Sequence, residues 1–114
     1  MSSKLERPRI GKGPTIQRKT GCGDLYVTIN NNGSGGPPIE VLARLGKAGG
    51  CSYCQNEALS RAISLGLKYG VPLADYIKQL KGIKCPNPNM WPEDERSLSC
   101  PDAIASIFEE YIDA

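Results

Sequence analysis

Five cysteines, Cys22, Cys51, Cys54, Cys85 and Cys100, and no histidine are spread over a chain of 114 residues. That combination constrains what the chain can build. Any transition-metal site has to rest on thiolates, with a carboxylate as the available supplement. Nucleophile sets of the Ser/His/Asp or Cys/His kind are excluded, so a hydrolase is not expected. Placement adds a second constraint. Buried cysteines that act as small hydrophobes usually sit within apolar stripes. Here Cys22, Cys51, Cys85 and Cys100 all stand where the hydropathy pattern breaks.

The pattern between those breaks is readable. Asp24–Asn30 alternates, with Leu25, Val27 and Ile29 on one face and Tyr26 and Thr28 on the other, the mark of a half-buried strand. The turn-rich stretch Asn31–Pro37 follows, and then Ile39, Val41, Ala43 and Leu45 alternate with Glu40, Leu42 and Arg44. The two strands should pair as an antiparallel hairpin. From Ser52 the period becomes helical, with Ala58, Leu59, Ala62, Ile63, Leu65 and Leu67 as the apolar stripe and a stop near Gly70 and Pro72. Leu73, Tyr76, Ile77 and Leu80 mark a shorter helix that Gly82 ends. Lys84–Pro92 is a proline-rich loop, followed by the charged stretch Glu93–Arg96. A last helix begins at Pro101, with Cys100 as its cap, Asp102 in its first turn, and a stripe of Ile104, Ile107, Phe108, Tyr111 and Ile112. The expected fold is α+β: a small antiparallel sheet of two to three strands followed by about three helices packed on it.

On this frame Cys22 precedes the first strand, Cys51 opens the long helix, Cys85 lies in the loop after the short helix and Cys100 opens the last helix. A helix N-terminus favours thiolate over thiol, which applies to Cys51 and Cys100. Glycines beside Cys22 and Cys51 allow close backbone approach to an ion. Three readings follow. Cys22, Cys51, Cys85 and Cys100 form a closed tetrahedral zinc site. Alternatively Cys51 and Cys54, a C-x-x-C pair, cycle between dithiol and disulfide. In the third, the thiols are inert and buried. Asp24 reads equally as a ligand or as a turn residue at a strand start. Trp91 is either a partner anchor or a lid over the core, and Lys47 either holds an anion or is solvated.

Charge divides the chain. Residues 1–20 carry Lys4, Arg7, Arg9, Lys12, Arg18 and Lys19 against Glu6, six minus one or +5, whereas the whole chain is +2. With Pro8, Gly11, Gly13 and Pro14 and no periodicity, residues 1–20 read as a basic flexible arm and residues 21–114 as a cysteine-rich domain. Deleting residues 1–18 should then leave folding intact. The arm could meet a nucleotide, a nucleic acid or an acidic surface. The N-terminus has no apolar signal region and no stretch is long enough to span a membrane, so the expected location is the cytoplasm, where thiols stay reduced.

Several blocks, in order, carry a resemblance to a known family. They are Arg7-Pro8-Arg9, Lys19–Asn30 (with Thr20-Gly21-Cys22-Gly23-Asp24), Leu45–Cys51, Leu80–Pro86 and Leu98-Ser99-Cys100-Pro101-Asp102. Together they resemble the TSCPD domain, as found at the C-terminal end of adenosylcobalamin-dependent ribonucleotide reductase, with Ser99 where the family name has threonine. A weaker likeness is to iron–sulfur cluster assembly scaffolds, in which Cys22, Asp24, Cys51 and Cys100 match ligand positions and Cys85 is an extra thiolate. Cys54 belongs to neither pattern. The first resemblance implies a structural zinc on Cys22, Cys51, Cys85 and Cys100 and a role in deoxyribonucleotide synthesis for DNA replication. The reductase's catalytic barrel is absent, so the chain is not expected to reduce ribonucleotides alone. Adenosylcobalamin would be reached through a larger catalytic chain, the implied partner. The alternatives are a thiol–disulfide partner using Cys51 and Cys54, an iron–sulfur scaffold using Cys22, Cys51 and Cys100, and a stand-alone nucleotide-binding protein.

Overall fold

The computed structural model describes residues 4–46 and 50–113. Three strands, β1 (Thr15–Thr20), β2 (Gly23–Asn30) and β3 (Glu40–Leu45), precede three helices, α1 (Gly50–Lys68), α2 (Leu73–Leu80) and α3 (Cys100–Asp113). A single 3-10 turn, Glu93–Glu95, lies between α2 and α3. The strands form one antiparallel sheet in the order β1-β2-β3. The α+β expectation holds, and the β2–β3 hairpin pairs Val27 with Ala43 and Ile29 with Val41.

The alternation of β2 and β3 sets the core. Leu25, Val27, Ile29 and Val41 are fully buried on one face, together with Ile104, Ile107 and Phe108 from α3. Each such side chain contributes roughly 1.5–3 kcal/mol on leaving water. α1 packs along β3, α3 crosses β1 and β2, and α2 packs against α3. The helix α2 runs from Leu73 to Leu80 with both ends buried, and Gly82 follows it at φ +86°.

Two expectations need correction. The stretch 1–20 is not a featureless arm. Thr15–Thr20 is the edge strand β1, and the chain before it is tied down by backbone hydrogen bonds from Leu5 to Lys68, Asn31 to Lys12 and Ile29 to Pro14. The strand was hidden because its single apolar residue, Ile16, alternates with the charged and polar Gln17, Arg18 and Lys19, as befits an edge. Arg7 is also engaged, donating to the Glu40 carboxylate, which accepts from Asn30 as well.

The second correction concerns the inward face of α1. Ile63 and Leu67 are buried as expected, but Ala58, Ala62 and Leu65 face outward, and Asn56, Ser60 and Ser64 take their places inside. The reason is the exposed ladder of β3. Ser60 Oγ accepts the Ala43 amide at 2.8 Å. Ser64 Oγ accepts the Val41 amide and donates to the Val41 carbonyl. Buried backbone groups must be paired, and α1 supplies the pairs that a fourth strand would otherwise give. Trp91 is 81% exposed, so it does not cover the core, and Ile112 at the end of the α3 stripe is exposed too. Lys47, with its anion reading, lies outside the described residues. Among the described residues no helix is long and apolar enough to cross a membrane.

Candidate metal centre

The β1–β2 turn is held by one hydroxyl. Thr20 Oγ1 donates to the Gly23 carbonyl at 2.7 Å and accepts the Cys22 amide at 3.1 Å, which aims Cys22 off the end of the sheet. Gly23, at φ +124°, returns the chain into β2. The next residue to consider is Gly21. A side chain there would lie 1.5 Å from the Asn87 carbonyl oxygen, and Asn87 Nδ2 donates to the Gly21 carbonyl. Only a glycine lets the Cys22 turn lie directly against the loop that follows Cys85. Cys85 is itself fixed by its amide, which donates to the Leu98 carbonyl at 3.1 Å, and its sulfur accepts the Asn87 amide.

The segment Ser99-Cys100-Pro101-Asp102 is an N-terminal cap with a cysteine inside it. Ser99 Oγ accepts the Asp102 amide at 3.0 Å and donates to the Ile83 carbonyl at 2.6 Å, and Ala103 begins the helical ladder on the Ser99 carbonyl. The cap of α3 is therefore Ser99, not Cys100. The signal was present as a serine three residues before an acid. Asp102 does more than complement the helix dipole. Its two oxygens accept the Gly82 and Leu98 amides, joining the end of α2 to the start of α3. Cys100 is thereby held at the first position of α3, 8% exposed.

These local arrangements put four cysteines around one cavity. Cys22, Cys51, Cys85 and Cys100 all line a cavity of about 560 Å³, walled on its apolar side by Leu59, Leu80, Ile83 and Pro101. Cys54 does not line it. That thiol is exposed and donates to the Cys51 carbonyl one turn back. Asp24, exposed in β2 opposite Lys19, is not in the lining either. Within the cavity Cys100 is buried, Cys22 and Cys85 are half-buried and Cys51 is exposed. Among the described residues, no group of three or more Cys, Asp or Glu side chains is gathered as ligands of one ion. The donor set suits a soft divalent metal, and Cys22 and Cys100 are the pair whose sulfurs meet side-chain hydroxyls.

Residues that the sequence did not single out surround that pair. Ser52 Oγ donates to Cys22 Sγ at 3.2 Å. Asn56, 3% exposed, donates to the Ser52 carbonyl at 2.8 Å. Cys100 Sγ also donates to Thr20 Oγ1 at 3.8 Å. Burial pushes the Cys100 thiol above its ordinary range, and its polar neighbours Asn56 and Thr20 only partly oppose this. The expectation that its helix N-terminus would favour thiolate is thus outweighed by desolvation.

Fold and site together define a small α+β domain with a cysteine-lined cavity at the helix-bearing end of its hairpin. The family model described as the TSCPD domain matches residues 1–112, so the chain belongs to the TSCPD domain family, which is associated with ribonucleotide reductase. No curated protein and no solved structure gives a significant match.

Proposed function

We propose that the chain is a non-catalytic module that binds one structural zinc ion through Cys22, Cys51, Cys85 and Cys100 and serves a ribonucleotide reductase catalytic chain. The observation that carries this reading is the selection the fold makes among five thiols. Four from four separate segments line one cavity, and the fifth, Cys54, is left outside it. A closed thiolate site of this kind would staple the β1–β2 turn to the starts of α1 and α3, which suits a domain with so small a core. Cys51 is in the first turn of α1 and Cys85 in an irregular segment, both outside the buried core. Such a site needs reduced thiols and therefore a reducing compartment, the cytoplasm in our reading. The family assignment supports a role in deoxyribonucleotide supply, with adenosylcobalamin chemistry belonging to the larger partner.

A second reading has one observation in its favour. Cys51 and Cys54 are both exposed and one turn apart, which suits exchange with a partner's disulfide. Reversible zinc titration of the anaerobically purified protein separates the two. In our reading, Cys100→Ala abolishes tight binding and Cys54→Ala leaves it intact. Retention of tight binding by Cys100→Ala, or its loss in Cys54→Ala, would count against the ligand set.

A further inference from the structure

We infer that Ser52, in the first turn of α1, is a positioning residue for Cys22: its hydroxyl supplies the hydrogen bond that holds this sulfur as a metal ligand. The inference rests on the zinc reading above and extends it to a residue outside the ligand set.

The geometry is specific. Ser52 and Asn56, four apart, share one helix face, and this face of α1 points into the cysteine cavity, since both residues line it. The Ser52 hydroxyl donates to Cys22 Sγ at 3.2 Å. The Asn56 amide donates to the Ser52 carbonyl at 2.8 Å, which ties the buried asparagine to the same turn of helix. Cys22 therefore has a side-chain hydroxyl from α1 aimed at its sulfur. An asparagine that is 3% exposed in a cavity walled by leucine, isoleucine and proline carries a desolvation cost that calls for a partner such as the Ser52 carbonyl.

The chemistry explains why the partner should be a donor. Four thiolates around a divalent ion leave the site with a net charge of about −2 in a low-dielectric pocket. N–H and O–H groups aimed at sulfur draw off part of that charge and orient the ligands. Such outer partners typically contribute about 10–100-fold to metal affinity.

The test loads cobalt(II), which reports on its sulfur ligands spectroscopically, and measures affinity against a competing chelator in wild type, Ser52→Ala and Ser52→Thr. We expect Ser52→Ala to bind cobalt about 10-fold more weakly and to shift the sulfur-to-cobalt charge-transfer band to lower energy, because a thiolate freed of its donor gives up charge more readily. Ser52→Thr, which keeps the hydroxyl, should restore both. A wild type that binds cobalt, with Ser52→Ala matching it in affinity and band position, overturns this inference and leaves the zinc reading standing. A wild type that binds no cobalt overturns the zinc reading and this inference together.

Discussion

The Ser64 hydroxyl stands against Val41 as a neighbouring strand would, accepting its amide and donating to its carbonyl, both at 3.0 Å. With Ser60 on the Ala43 amide, it closes the β3 edge of the sheet from a helix. Ser64→Ala should leave both Val41 groups buried without partners and cost about 1–3 kcal/mol. Denaturant melts of Ser64→Ala beside the exposed control Ala62→Ser check this. Equal midpoints would show that water replaces the hydroxyl without loss.

Asp102→Ala should cost a similar amount, about 1–3 kcal/mol, since it strips the partner from the Gly82 and Leu98 amides. Ser99→Ala, which removes the cap, should cost about 1 kcal/mol. Threonine at 99 keeps the capping hydroxyl, so Ser99→Thr should stay within a few tenths of a kcal/mol of wild type. Thermal melts of the three variants order them: Asp102→Ala lowest, then Ser99→Ala, then Ser99→Thr.

Gly21→Ala is the sharpest steric test of the site. The added carbon would sit 1.5 Å from the Asn87 carbonyl oxygen, so the Cys22 turn and the Cys85 loop must part. We expect weakened zinc binding with the far end of the sheet unaffected, read by chelator competition and by amide protection of Val41 and Ala43. Wild-type affinity in Gly21→Ala would mean that the two loops need not touch.

Glu40 should make stability depend on acid. The hydrogen bond from Arg7 is the largest influence and holds its carboxyl below the ordinary range, burial opposes this, and Asn30 adds to the lowering. A folded-state value below the unfolded one gives stability that is present above the ordinary carboxylate value of about 4.3 and is lost as pH falls through the lower folded value. Glu40→Gln should therefore melt lower than wild type at pH 7, and the two should converge below about pH 4. A constant gap across that range would assign the effect of Glu40 to packing.

The same contacts reverse the expectation for truncation. Removing residues 1–18 takes away most of β1, the Arg7 partner of Glu40 and the Leu5 amide that caps the Lys68 carbonyl. The truncated chain should lose its cooperative melt by circular dichroism, and a sharp transition near the wild-type temperature would restore the arm reading.

What could be read from the sequence divides along physical lines. Leu25, Val27 and Ile29 announced β2 because one face of a strand in a core alternates with the other. β1 was silent, since an edge strand with Ile16 as its sole apolar residue has no such contrast. The four cavity cysteines were legible as a set through their positions at element ends. Ser52, Asn56, Ser60 and Ser64 were not, because a polar residue inside a helical stripe reads as solvent-facing until the partner it satisfies is known. Ser99 and Asp102 could have been found, as their spacing is that of a helix cap.

The central claim is tested most directly by counting metal and protected thiols together in protein purified without oxygen. The account predicts about one zinc per chain, slow alkylation of Cys22, Cys51, Cys85 and Cys100, rapid alkylation of Cys54, and equalised rates once a chelator removes the metal. Zinc-free protein in which Cys51 and Cys85 react as fast as Cys54 would contradict it.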